Sequence, residues 1–146
     1  MKKKKISLAS DHAGYPVKEL IKKFLIDKNY EIKDFGTDSE ESADYPDFAH
    51  PLAKSVENGE SDFGFTFCGS GNGISMTVNK YQYIRAALCW NEEIAALARQ
   101  HNDANVCSIP ARFVSEDKAL KIAEKFLNSE FEGGRHQRRV GKIPVK

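Results

Sequence analysis

Apolar residues follow two alternating rhythms along the chain. The runs KISLAS (5–10), YEIKDF (30–35), FGFTFC (63–68), IRAALCW (84–90) and NVCSIP (105–110) have the length and bounded character of strands. Between them, apolar positions recur at three- and four-residue spacing. Val17, Leu20, Ile21, Phe24 and Leu25 predict one face of a helix, with Pro16 in its first turn. Phe48, Leu52, Ala53 and Val56 predict a second helix, with Pro51 in its first turn or kinking it. A short helix is expected over about 73–80. Ile94, Leu97, Ala98 and His101 predict the inward stripe of the next. Ala119, Ile122, Ala123 and Phe126 mark the final helix, with Ser115 as N-cap and Glu116 and Asp117 in its first turn. Strands alternating with helices predict an α/β fold: a three-layer Rossmann-like arrangement, a five-stranded parallel sheet with helices on both faces, in one domain over residues 1–146.

In such sheets ligands bind beyond the carboxyl ends of the strands. Ser10-Asp11-His12 follows the first strand, Cys68-Gly69-Ser70-Gly71-Asn72-Gly73 the third, and Ala111-Arg112 the fifth. The three glycines permit a tight turn and let a ligand approach the main chain. Amides at the start of the following helix would face an anion or a developing oxyanion; a plain strand-to-helix turn would use the same glycines. Cys68 adds a thiol that can act as nucleophile or base if its pKa is lowered there. Cys89 and Cys107 read as buried structural thiols. Familiar loops are excluded letter by letter. A cysteine phosphatase loop needs arginine where Ile74 stands, a nucleophile elbow needs glycine at Cys68 and Asn72, and a dinucleotide fingerprint belongs after the first strand. His101 near a helix C-terminus suits proton transfer or simple capping, and Asp11 and His12 suit ligand contact or a cap on the helix near Tyr15. Arg135 and Arg139, four apart, share a face if helical and can grip a phosphate.

Composition narrows this only slightly. Lys and Arg total 22 against 21 Asp and Glu, so no polyanionic partner is implied. The 34–47 stretch carries acidic residues without a Lys or Arg, while KKKK (2–5) and RHQRR (135–139) are basic; the lysines read as solvated flank. No aromatic residues interleave with the C-terminal arginines, which argues against nucleic acid. No apolar segment is long enough for a membrane span, and three cysteines suit a reducing, cytoplasmic setting. No Cys/His/carboxylate spacing suggests zinc.

SDHAG (10–14), SADYPDFA (42–49), CGSGNGIS (68–75), Asn79-Lys80, RQHNDANV (99–106), PARFV (110–114) and EGGRHQRRV (132–140) together resemble the type B ribose-5-phosphate isomerases and related sugar-phosphate isomerases. The resemblance implies an aldose–ketose isomerase that interconverts ribose 5-phosphate and ribulose 5-phosphate through an enediolate, without metal or cofactor. It implies Cys68 as base, the backbone from Gly69 through Ser70, Gly71 and Asn72 to Gly73 as oxyanion site, and Ser70 hydrogen-bonding the substrate oxygens. His101 would assist ring opening with Asn102 beside it, and Asp11 would contact the sugar hydroxyls. His12, Arg112, Arg135 and Arg139 match phosphate-binding positions. One branch of the family replaces the cysteine with a glutamate at the position of Ile74; here the thiol is present. The resemblance also implies a homodimer, with a tetramer open, whose 130–146 tail reaches a neighbouring subunit. Galactose or allose 6-phosphate isomerisation, or sugar-phosphate binding without catalysis, are the alternative readings.

Overall fold

A computed structural model describes residues 4–146. Strands β1 (Lys5–Ser10), β2 (Glu31–Asp34), β3 (Phe63–Cys68), β4 (Ala86–Leu88) and β5 (Val106–Pro110) alternate with helices α1 (Tyr15–Asp27), α2 (Tyr45–Glu57), α3 (Asn72–Val78), α4 (Glu92–Asn102) and α5 (Glu116–Asn128). A sixth helix, α6 (Arg135–Val140), follows the one expected to be last. Every strand pair is parallel and the order is β2-β1-β3-β5-β4, so the expected five-stranded α/β sheet forms. The chain's path along the sheet reverses between β1 and β3, the kind of point where a crevice opens at the strand ends.

The strand pleat sends alternate residues to unequal faces. Ile6, Leu8, Phe65, Phe67, Cys107 and Ile109 are buried in one cluster with Ile21 and Leu25 of α1, Ala95 and Ala98 of α4, and Ile122 and Phe126 of α5. Each large side chain removed from water there contributes about 1.5–3 kcal/mol. The opposite face carries small residues. Ala9, Cys68 and Val106 share a second cluster with Leu52 and Val56 of α2 and Ile74 and Val78 of α3. Its buried hydroxyls are paired: Ser7, Ser55 and Ser61 bond one another, and Thr66 bonds Ser108 at 2.7 Å.

Three local features depart from the sequence pattern or add to it. Pro51 is the seventh residue of α2 and Pro46 occupies the first turn, so Pro51 deprives the Asp47 carbonyl of its helical donor without ending the helix. β4 covers only Ala86–Leu88 of the run expected over 84–90, because Asn79 clasps Ala86 through both its amide (2.8 Å) and carbonyl (3.0 Å) while Asn105 holds Tyr83 and Arg85 in a turn. Trp90 is left half exposed. In α1 the apolar stripe omits Lys18, which is fully buried with its ammonium 2.6 Å from Asp34 and 3.0 Å from Glu19. Lys22 reaches the same Asp34 oxygen at 3.0 Å. The other Asp34 oxygen accepts the Gly36 amide, and Gly36 and Thr37 bond back to Ser10 (2.8 and 2.9 Å), directly before Asp11. Of the KKKK flank, residues 2 and 3 lie outside the described residues, Lys4 is exposed and Lys5 opens β1. Among the described residues no helix is long and apolar enough to cross a membrane.

Candidate active site

The carboxyl ends of β1, β3 and β5 bring Asp11, His12, Cys68, the glycine loop and Arg112 to one edge, held mainly by backbone bonds. The Asp11 amide donates to the Phe67 carbonyl (3.3 Å), and its carboxylate accepts the Gly14 amide (2.9 Å), shaping the turn into α1. Gly14, without a side-chain cap, is the helix N-cap, so neither Asp11 nor His12 takes that place. His12 Nδ1 instead lies 3.1 Å from the Ala43 amide in the acidic segment. The Cys68 carbonyl accepts the Ala111 amide, and the Gly69 carbonyl that of Arg112, both at 3.0 Å.

With those carbonyls tied down, the amides of Gly69, Ser70 and Gly71 donate to no acceptor among the described residues, and Asn72 donates only to Ser70 Oγ at 3.3 Å. The loop therefore offers a row of donors to an anion, from the turn itself rather than from the dipole of the seven-residue α3. Gly71, at φ +78°, begins the helix in the left-handed region, where a β-carbon would also come 2.5 Å from Leu88 Cδ1. At Gly73 a β-carbon would stand 2.5 Å from the Tyr45 ring and 2.6 Å from its hydroxyl. The Tyr45 hydroxyl thus sits directly on the loop, a neighbour that sequence reasoning missed. Its signal was present as the lone aromatic hydroxyl in SADYPDFA, at the start of α2. The Arg112 guanidinium lies over Gly69, with Nη1 3.2 Å from the place of a β-carbon. Cys68 ends β3 at this edge with 5% exposure, its side chain in the apolar cluster beneath α2 and α3. Ser70 and Asn72 are exposed, Asp11 is buried and His12 half-buried.

His101 and Asn102 are not here. They end α4, and a helix returning between parallel strands finishes at the opposite, amino edge of the sheet. β5 separates the edges: α4 closes with the Ala104 amide on the Ala98 carbonyl, whereas Ala111 bonds Cys68. At about 3.3 Å per residue that strand alone spans about 13 Å. His101 also leaves the inward stripe. Ala95, Ala96, Ala98 and Arg99 are the buried positions of α4, while the His101 side chain is 39% exposed. Arg99 and Asp103 of the RQHND motif are scaffold: Arg99 Nη1 reaches Asp103 (2.8 Å) and the Ala104 carbonyl (2.7 Å), fixing a left-handed Asp103 at the helix end.

Arg135 and Arg139 lie on α6 and are exposed. In the same helix His136 stacks on His101, ring centroids 4.2 Å apart and 8° from parallel. Desolvation, then His101 and Arg135, hold the His136 pKa below its ordinary value. So the structure gathers Asp11, His12, Cys68–Gly73 and Arg112 at one edge and His101 and Asn102, with α6, at the other. A cavity of about 590 Å³ opens between the α3–β4 connection, Asn102 and the Ile143–Val145 tail. Around it Met76, Tyr83, Ile143 and Val145 stand exposed.

A doubly covered parallel sheet with an amide-lined loop beside a strand-end thiol defines an α/β protein whose carboxyl edge has the donors an anionic small molecule would need. Residues 6–143 match the family model described as Ribose/Galactose Isomerase, and the chain belongs to that family. It is 43% identical over 140 residues to a protein named Ribose-5-phosphate isomerase B from Escherichia coli K12, covering 96% of this chain and 94% of that one. Among solved structures, a ribose-5-phosphate isomerase B from Clostridium thermocellum is 50% identical with a TM-score of 0.94, covering 95% of this chain and 94% of its own. That of Mycoplasma genitalium, with bound ribulose-5-phosphate, is 44% identical with a TM-score of 0.91, covering 95% and 93%. The chain is an isomerase, an intramolecular oxidoreductase.

Proposed function

We propose that this isomerase interconverts ribose 5-phosphate and ribulose 5-phosphate at a site shared by two copies of the chain. The substrate assignment rests on the relatives, one of which holds ribulose-5-phosphate. The shared site rests on one geometric observation: Cys68 and His101 occupy opposite edges of the sheet. No local movement of α4, tied through Arg99, Asp103 and Ala104, brings its end around the sheet. A second copy docked over α3 and the C-terminal tail would cover the exposed Met76, Tyr83, Ile143 and Val145 and carry its own His101, Asn102, Arg135 and Arg139 to the first copy's loop.

In this reading His101 and Asn102 of the second copy help open the furanose ring. Cys68, as thiolate, takes the proton from C2 of the open aldose and returns it to C1, while the O2 hydroxyl proton passes to O1. The amides of Gly69 through Gly73, with Ser70 and Asn72, hold the enediolate charge, preorganised where it develops. Asp11 receives the sugar hydroxyls; His12 and Arg112, with Arg135 and Arg139 from the second copy, hold the phosphate. One proton moves between adjacent carbons, so the chemistry asks for no cofactor. The three cysteines are free and buried, which suits a reducing cytoplasm. The near-neutral net charge of +1 favours a small-molecule ligand over nucleic acid.

The test assays ribose 5-phosphate beside galactose 6-phosphate and allose 6-phosphate, with wild type and Cys68→Ala. Ribose 5-phosphate should turn over fastest, and the variant should lose turnover yet still bind the sugar phosphate by calorimetry. Undiminished turnover of Cys68→Ala would remove the proposed base; preference for a hexose phosphate would reassign the substrate.

A further inference from the structure

We propose that His101, Glu132 and His136 form a binding site for a transition-metal cation of the zinc class, whose occupation withdraws His101 from the reaction. The second half rests on the catalytic reading of His101; the first does not. The three groups come from separate segments: the end of α4, the connection after α5, and the first turn of α6. Their ligand atoms all lie within 4.8 Å of one another. Glu132 Oε1 is 3.7 Å from Nε2 of each histidine. Ligands on a tetrahedral zinc, each about 2.0–2.1 Å from the ion, sit about 3.4 Å apart. Two sides of the triangle are thus within a few tenths of an ångström of a chelating geometry, and the side between the stacked histidines, at up to 4.8 Å, must close by rotation of one ring.

Its backbone is already placed. The Glu132 amide donates to the Gln100 carbonyl (3.0 Å), pinning the connection to α4, and the His136 amide donates to Gly133 (3.1 Å). The side chains still have room: His101 is 39% and Glu132 52% exposed, so one imidazole of the parallel stack can swing about its Cβ–Cγ bond and bring both lone pairs onto one ion. Two imidazoles and a carboxylate suit Zn²⁺ and its first-row neighbours, leaving one or more positions for water. Mg²⁺, which demands hard oxygen ligands, fits poorly. Arg135 and Arg139 on the same helix add positive charge, so coordination rather than simple attraction must hold the ion, which sharpens that selectivity. The sequence hid this site because only Glu132 and His136 are neighbours in it, and His101 is about thirty residues away.

The site is tested on the full chain without substrate. Equilibrium dialysis against Zn²⁺ should give one ion per chain. Affinity should fall more than about 100-fold in Glu132→Ala and in His136→Gln, beyond the loss that outer-shell changes cause. Mg²⁺ should not bind. Co²⁺ should give visible ligand-field bands without the intense near-ultraviolet thiolate band. Failure to bind, equal binding in both variants, or a thiolate band showing capture by a cysteine would each overturn the site. Glu132 is exposed, so its variant keeps the result interpretable if His136→Gln fails to fold. Zn²⁺ should also depress ribose 5-phosphate turnover reversibly, with recovery on adding chelator. Stoichiometric binding with unchanged turnover would overturn the inhibitory half alone. If the chain proved inactive on every sugar phosphate, dialysis and the Co²⁺ spectrum would still decide the site.

Discussion

The two edges of the sheet hold their polar residues by different means. At the carboxyl edge the main chain sets the geometry: Ala111 and Arg112 fix the carbonyls of Cys68 and Gly69, and Phe67 fixes Asp11. Gly36 and Thr37, anchored through Asp34 to the buried Lys18, brace the end of β1. At the amino edge the end of α4 is equally firm, but the groups beyond it, Glu132 and His136 around His101 and the exposed Arg135 and Arg139, meet through side chains on a six-residue helix. The rigid edge suits charge stabilisation, which gains from donors already in place. The adjustable edge suits capture of a phosphate, or of an ion, by long or rotatable side chains. In the proposed reaction neither edge alone holds the whole catalytic set.

The comparison can be broken most directly at the thiol. Cys68→Ala should lower turnover by about 10²–10⁴-fold, the range for loss of a positioned base, at little cost in substrate affinity. Mixed with His101→Asn chains under subunit exchange, it should recover about a quarter of wild-type turnover, because half the dimers then carry one intact site. No recovery would mean that the edges do not meet across copies.

Next comes the brace. Asp34→Asn leaves the fully buried Lys18 ammonium without its 2.6 Å partner and should cost about 3 kcal/mol in urea unfolding. Desolvation pushes the Asp34 carboxyl up, but bonds from Lys18, the Gly36 amide and Lys22 outweigh it and hold its pKa below the usual value. Its contribution is therefore present above the ordinary carboxylate range and lost as pH falls through the depressed folded value. Wild type should lose stability below about pH 4, and Asp34→Asn should show a flatter acid limb. An equally steep limb would place the acid sensitivity elsewhere.

At the other edge, Arg135→Ala should raise KM for ribose 5-phosphate about 10-fold or more, the loss of a charge-assisted bond, with kcat changed less and melting temperature unchanged. An unchanged KM would remove α6 from the site. The smallest effect is expected at the loop's left-handed residue. Gly71→Ala should cost about 1–2 kcal/mol in stability, with the Leu88 contact tending to increase it, and should lower kcat more than it raises KM if the amide row is displaced.

Much of the fold was legible because local pattern and global need agree. Short bounded apolar runs became strands and the stripes of α1 and α5 became buried faces, with Ser115 accepting the Lys118 amide as the expected N-cap at 3.1 Å. The pattern failed where a polar side chain decides the outcome. Asn79 cuts β4 short, Lys18 is buried because Asp34 waits across the gap to β2, and Arg99 takes the place on α4 that the apolar stripe gave to His101. Spacing alone does not encode partners so far apart in the chain.

By itself the sequence determined the parallel sheet, the gathering of Asp11, His12, Cys68 and Arg112 at the strand ends, and through its motifs the kinship with sugar-phosphate isomerases. Tertiary structure alone decided that His101 and Asn102 lie across the sheet, that Tyr45 stands on Gly73, and that Glu132 and His136 close around His101. Strand direction is a local property and fixes which residues share an edge. Where a helix ends, and what it meets there, depends on packing among segments that the chain order keeps apart.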